Sequence, residues 1–471
     1  MFKTIFRWEL RALRRDRAFW AVLVLGIVAL CVALVNGERW RSHLNDVRAA
    51  AAQQDASARA IARTMANRID SGQQPASVFD PRNAFVYGDY LMSHFAILPA
   101  TPLAALTVGQ SDLLPSALPL APGRQPSLAD GAEPENPHRL LIGRFDTAFA
   151  VIYLFPLLII GLSYALLAGE RERGTLALLL AQPLSLRSLF VGKIVPRILV
   201  IGGLLLALAA ISVVEVPIAT WPRLAVWFAI AIAYAVFWFA LTATVVTGRG
   251  NTPAHAVTLA AAWLGLTLLL PTLVNLAIKT MVPVPSRIEL ILASRAATDQ
   301  ATAERSQLLG AFYEDHPDLA PAGSGPDHGA DFITLQLVTA QRVERDLAPV
   351  LARFSHQLAR QRRLVEKLKF LSPALLAQSA FADAAGTGSA RHDWFFEQVR
   401  AHHSELRAFF EPRVLSKETF TAWDDVPTFD YVEEENSSVV ARIMSAVGAL
   451  LCAAFGFSLL SWLALRRQSL V

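Results

Sequence analysis

Ala18-Phe19-Trp20-Ala21-Val22-Leu23-Val24-Leu25-Gly26-Ile27-Val28-Ala29-Leu30-Cys31-Val32-Ala33-Leu34-Val35 is a run of eighteen residues without a charge, closed by Asn36-Gly37-Glu38-Arg39. A helix rises about 1.5 Å per residue, so a run of this length approaches the ~30 Å of hydrocarbon that a spanning helix must cross. The basic lead Arg11, Arg14, Arg15 and Arg17 would also suit a secretory signal. No small-x-small cleavage site follows, and bulky apolar residues continue to Val35, so the run reads as a retained first span, 18–36. Five more stretches qualify: 147–168, 191–214, 224–246, 254–278 and 439–465. The whole chain agrees. Its 471 residues are 54% hydrophobic and 17% charged, with mean hydropathy +0.39, which is more apolar surface than a soluble core of this size hides. That composition excludes disorder and collagen-like repeats. The two cysteines, Cys31 and Cys452, lie inside apolar runs, which excludes a disulfide scaffold. The net charge of +4 is small for this length and gives no reason to expect nucleic acid as a partner.

Basic residues flank the spans unevenly. Lys3, Arg7, Arg11, Arg14, Arg15 and Arg17 precede the first; Arg171, Arg173, Arg187 and Lys193 lie between the second and third; Arg249 is in the turn between the fourth and fifth; Arg466 and Arg467 are in the tail, 466–471. With six spans all of these fall on one side, which the positive-inside rule makes the cytoplasm. The expectation is an all-α integral membrane protein with six transmembrane helices and both termini inside. Two long segments, 37–146 and 279–438, and a short turn around Pro217 and Pro222 then face outward. Almost nothing ionisable is expected within the spans, because Glu215 and His255 sit near span ends. Ser163, Thr242, Thr244 and Asn275 read as groups that bond a neighbouring helix or their own backbone. Pro156 and Pro271 interrupt their spans as tolerated kinks or as hinges.

The first seventeen residues form an amphipathic pattern, with Phe2, Ile5, Phe6, Leu10 and Leu13 at three- and four-residue steps between basic residues. Such a helix lies on the membrane surface. The connection 169–190 carries more information. Gly169-Glu170-Arg171-Glu172-Arg173-Gly174-Thr175-Leu176 is a charged turn edged by glycine, and a short apolar helix follows and stops at Pro183. Leu176, Leu178, Leu179 and Leu180 are an odd surface unless something covers them.

These residues resemble the ABC-2-type permeases, the membrane halves of one class of ATP-binding-cassette transporters. The family pattern E-x-E-x-G-T-L-x-x-L-L-x-x-P followed by Gly-Lys is similar to Glu170, Glu172, Gly174, Thr175, Leu176, Leu179, Leu180, Pro183 and Gly192-Lys193 here. The resemblance implies that helix 1–17 is an elbow helix. It also implies that Glu170, Arg171, Glu172, Arg173, Gly174, Thr175, Leu176 and Pro183 belong to a coupling helix that enters a cleft of a separate cytoplasmic ATPase. Two permeases and two ATPases would assemble, the second permease being another copy or a similar chain. The sequence has no G-x-x-x-x-G-K-[ST] phosphate cradle, so ATP and Mg belong to the partner and this chain is expected to bind no cofactor and to be no enzyme.

Residues 38–69 continue span one as a helix, and a Pro-rich stretch containing Ile97 to Leu106 and Gly109 to Pro115 follows. This stretch, together with Leu371-Ser372-Pro373-Ala374-Leu375-Leu376-Ala377-Gln378, Arg391-His392 and Phe409-Phe410-Glu411-Pro412, resembles a subgroup of that family with a large outward domain of unknown function. Its relatives include permeases of siderophore or metal systems and of nitrous-oxide-reductase maturation. Leu347, Val350, Leu351, Phe354, Leu358, Val365 and Leu368 make one helical stripe and Phe395, Val399, His402, Leu406 and Phe409 another. The stripes are expected to bury each other and helix 38–69 in a mainly helical extracytoplasmic domain.

His392, Asp393, His402 and His403 invite a metal reading, but no H-x-x-x-H pair exists and His403 points about 100° from His402, so they read as core or surface histidines and no metal is expected. The acidic run Asp424, Asp425, Asp430, Glu433, Glu434 and Glu435 reads as a solvated approach to span six rather than a dock for a basic partner. The sequence therefore leads to a permease subunit in an inner (cytoplasmic) membrane that moves or extracts a substrate. The rival is mechanotransmission, in which ATP hydrolysis elsewhere moves the outward domain against a periplasmic partner and no solute crosses.

Overall fold

The structure, a computed structural model, describes residues 2–126, 144–182, 185–284, 286–317, 328–416 and 418–468. It is helical almost throughout, and six of its helices are long and apolar enough to cross a membrane. The protein is thus a multi-pass membrane protein by length and composition of its helices. α1 is Phe2–Arg15. Asp16 then accepts a hydrogen bond from the Ala18 amide at 2.9 Å and starts α2, Arg17–Asp70, which runs unbroken for 54 residues. At 1.5 Å per residue this is a rod of about 80 Å, far longer than a bilayer is thick.

Beyond α2 the chain forms an antiparallel hairpin of β1, His94–Ile97, and β2, Ala117–Leu120, with His94 opposite Leu120. It is a small exception in a chain otherwise helical, as the all-α expectation with a mainly helical outward segment allows. Burial alternates along both strands, but four residues each are too few for that alternation to stand out among prolines.

α3, Thr147–Glu172, is the second long apolar helix, and α4, Thr175–Leu180, follows it. Then come α5, Leu186–Glu215, α6, Trp221–Val246, and α7, Thr252–Met281. The second long segment folds as α8, Arg287–Ala303, α9, Arg305–Asp315, α10, His328–Leu368, α11, Pro373–Ala385, and α12, Ser389–Ser416. α13, Asn436–Gln468, is the last apolar helix.

α6 is the most enclosed of these. Trp227, Tyr234 and Trp238 are wholly buried, and α6 packs along α13 and against α11. α11 therefore belongs to the main core: Phe381 lies 4.6 Å from the Trp227 ring, and Ser372 hydrogen-bonds the Leu266 carbonyl at 2.9 Å. α3 and α7 each contain a π-helical turn, Ala150–Leu154 and Gly265–Leu269, and in each a proline follows two residues later, Pro156 and Pro271. A proline removes one i→i−4 bond, which widened turns accommodate. The carbonyl that Pro156 leaves free, Ile152, accepts the Tyr234 hydroxyl at 2.9 Å.

The two stripes of the second segment fare differently. Phe395, Val399, His402 and Leu406 on α12 are buried, with Ala62 of α2, the hairpin and Phe420 in one cluster. The α10 stripe is half-buried, with Val365 exposed; α10 packs mainly on α8, α9 and α7. α10 meets α12 through polar contacts, Arg407 to Glu344 at 2.8 Å and Gln341 to Glu411 at 3.2 Å, so the stripes do not bury each other as expected.

Candidate functional site

The last turn of α3 carries Glu170, Arg171, Glu172 and Arg173. Gly174 follows with φ +71°, a left-handed conformation that costs a residue with a Cβ and that reverses the chain into α4. Thr175, the first residue of α4, donates its hydroxyl to the Glu170 carbonyl at 3.1 Å and to one Glu170 carboxylate oxygen. The other carboxylate oxygen accepts from Lys193 Nζ at 2.7 Å. Lys193 also lies 3.6 Å from Glu9 of α1, whose second oxygen is 2.8 Å from Arg197 Nη2. Arg197 donates Nε to the Leu162 carbonyl at 2.5 Å and Nη1 to the Lys193 carbonyl. The cluster joins α1, α3 and α5.

Glu9, Glu170, Lys193 and Arg197 are 4%, 7%, 5% and 8% exposed. Two carboxylates face two cations, so the group is neutral, and the extra hydrogen bonds help offset desolvation of four charges. Its value lies in what breaking it would cost. Gly192 makes the approach possible: a Cβ there would stand 2.7 Å from Ile5 Cγ2, so any larger residue pushes α1 away from α5.

The neighbouring motif residues tie in a fourth element. Glu172 accepts from the Thr252 amide at 2.7 Å and its hydroxyl at 2.9 Å, placing a negative charge at the start of α7 where the helix dipole favours it. Arg171 Nη1 reaches the Gly248 and Gly250 carbonyls, each at 3.4 Å. Arg173 and Gly174 are exposed, while Thr175 and Leu176 are half-buried, Leu176 and Leu179 packing on the main core. α4 nonetheless leaves Leu178 71% and Leu180 40% exposed. Pro183 lies outside the described residues.

Of the eight motif residues singled out, Glu170 thus turns inward, Arg171 and Glu172 turn sideways and Arg173 stays on the free face, which Leu178 and Leu180, outside the eight, share. Glu9 and Arg197 complete the cluster without belonging to any motif. The expectation of almost no ionisable groups within spans fails at Lys193 and Arg197, which lie in the third and fourth turns of α5, buried and each paired with a glutamate of another helix. A signal existed: Glu9 is the one acidic residue in an otherwise basic α1.

At the far end of α2 a second set of titratable groups is buried. His94 Nε2 and His402 Nε2 lie 3.2 Å apart, and His402 Nδ1 is 3.2 Å from Glu405. Burial, then the His402 ring and Arg59, pushes His94 down to about 4. His392 and His403 bond the Pro115 and Ala121 carbonyls at 3.1 and 3.2 Å, and burial lowers both. Asp393 pairs with Arg362. Among the described residues no group of three or more His, Cys, Asp or Glu is placed to hold a metal ion. Of the acidic run, Asp424 pairs with Arg63, Glu433 with Arg391 at 2.6 Å and Glu434 with Arg442 at 2.8 Å, so half of it staples segments together rather than standing free in solvent.

Residues 287–432, from α8 to just before α13, match a family described as a domain of unknown function (DUF3526). No curated protein and no solved structure matches the chain.

Proposed function

We propose that this chain is the membrane-spanning subunit of an ABC-2-type transporter, working with a separate cytoplasmic ATPase that binds ATP and Mg. The observation that carries the reading is the division of labour in the 170–180 connection. Its acidic residues are spent on anchoring the turn to α1, α5 and α7, while α4 presents Leu178 and Leu180 outward. Exposed leucines on a short, firmly braced helix suit a rigid finger that docks in a cleft and passes motion to the spans. In this reading α1 is the elbow helix and the Glu9–Arg197 pair makes it move with α5. The chain lies in an inner membrane, pairs with a second copy or a similar permease, and places the hairpin and α8–α12 on the far side from the ATPase.

Export or extraction of a substrate is the first reading of what the motion achieves. Mechanotransmission is the second, and α2 favours it: one unbroken helix of 54 residues links the braced end to the remote histidine cluster and transmits tilt without a joint. Reconstitution with the cognate ATPase in vesicles distinguishes them. Substrate accumulation with stimulated hydrolysis supports export, whereas ATP-dependent displacement of the outer helices with no flux supports the rival. Hydrolysis that is indifferent to the presence of this chain contradicts both.

A further inference from the structure

At the end of the spans remote from α4, a cavity of about 590 Å³ lies between the first turns of α6 and α13 and the 99–103 segment. That volume falls in the ~300–1,000 Å³ range of small-molecule sites. Much of its lining is apolar: Val226, Val439, Val440 and Ile443, with Leu103 and Ala385. The rim is polar and carries two arginines of different standing. Arg391 is committed: it makes two bonds to Glu433, at 2.6 and 3.0 Å, and others to the Pro99 and Gly386 carbonyls. Arg223 donates to the neutral amide of Asn436 at 3.1 Å, and among the described residues it forms no ion pair. The nearby acids Glu434 and Asp383 face Arg442, at 2.8 and 3.6 Å. The lining residues Arg223, Arg391 and Glu433 thus leave one positive charge, on Arg223. Because Asn436 uses its oxygen on Arg223, its amide NH₂ remains a donor for a second bond to an acceptor.

We propose that this cavity is a phospholipid site, in which Arg223 and the Asn436 amide hold the phosphate and an acyl chain lies along Val226, Val439, Val440 and Ile443. Three observations favour a lipid over a soluble anion or a protein segment. The cavity opens at the first turns of two spans, the depth at which head groups sit. Trp221, 42% exposed and two residues before Arg223, marks the same level as interfacial aromatics do. Below that polar rim the wall is aliphatic, which a free phosphate would not use and an acyl chain would. The site lies apart from the α4 face, and its occupancy does not depend on the proposed ATPase.

The test uses the full-length protein in detergent, equilibrated with phosphatidylglycerol or with diacylglycerol of the same chains, and native mass spectrometry to count retained lipid. Wild-type protein is expected to retain phosphatidylglycerol about tenfold more than diacylglycerol, and Arg223→Gln to remove most of that preference, since a charge-assisted bond to phosphate is lost. Val440→Trp, which fills the cavity, lowers retention of both. Helical circular dichroism and elution volume check folding, and Asn436→Ala serves if Arg223→Gln does not fold. Equal retention of the two lipids by wild type, or retention unaffected by Val440→Trp, overturns the proposal. So does a Val440→Trp variant that changes oligomeric state with its lipid unchanged, because a second copy would then be the occupant.

Discussion

The braced end of the bundle and the remote histidine cluster bury titratable groups in opposite ways. Glu9, Glu170, Lys193 and Arg197 are charged and matched two against two, with hydrogen bonds to spare. His94 and His402 are buried among aromatics, with Phe429 and Phe395 near, and burial lowers His94 so that it stays neutral at ordinary pH. A matched cluster holds helices in register. A histidine kept neutral by burial, as His94 is, loses its contribution when protons are supplied. The difference separates helices held together by matched charges from a cluster held by burial.

The largest expected effect comes from breaking the first cluster. Glu170→Ala leaves Lys193 buried beside a half-used Glu9, and loss of one partner from a buried pair costs about 3–5 kcal/mol. Thermal unfolding in detergent reads it, and the double replacement Glu170→Leu with Lys193→Met should recover a large part of the loss. A double variant as unstable as Glu170→Ala would deny that the two act as a pair. Next, Gly192→Val forces a side chain into Ile5, with a cost of about 1–3 kcal/mol as for other overpacked contacts. Protease cleavage between α1 and α2 should speed up in that variant, and cleavage at the wild-type rate would mean α1 is held by other contacts.

The remote cluster yields a pH effect of known sign. The unfolded chain binds a proton at His94 near pH 6.5 and the folded protein only near pH 4, so stability from this residue is complete above 6.5 and is lost as pH falls from 6.5 to about 4. The loss is at most about 3 kcal/mol. Asp89 and Asp383, both raised to about 6 by burial, act the other way, since the folded form takes up their protons first on acidification. The difference between wild type and His94→Gln cancels them. That difference should shrink between pH 7 and 4, and a difference constant across the range would contradict a neutral His94. The smallest effect is expected at Arg41→Ala, which removes an i,i+3 pair with a half-exposed Glu38 and should change stability by less than about 1 kcal/mol.

Much of this was legible in the sequence, and what was not has a common cause. Uncharged runs announce spans, and the helical reading of 38–69 as a continuation of span one was legible too, because both signals repeat within one helix. α12 was readable for the same reason. The pairing of Glu9 with Arg197, the meeting of His94 with His402 and the rescue of the Ile152 carbonyl by Tyr234 join residues far apart in the chain, and no local period encodes them. The motif 170–176 was visible as a motif, but the partners of its glutamates, Lys193 on α5 and the amide of Thr252 on α7, lie beyond the turn and were not. The hairpin was hidden by its shortness.

In the proposed function the 170–180 connection is a braced finger whose leucines, rather than its glutamates, meet the partner. Co-purification of the co-expressed ATPase with Leu178→Asp tests it most directly. The ATPase is expected to be lost while the variant unfolds at the wild-type temperature, because Leu178 is 71% exposed. An ATPase retained at the wild-type ratio would contradict it.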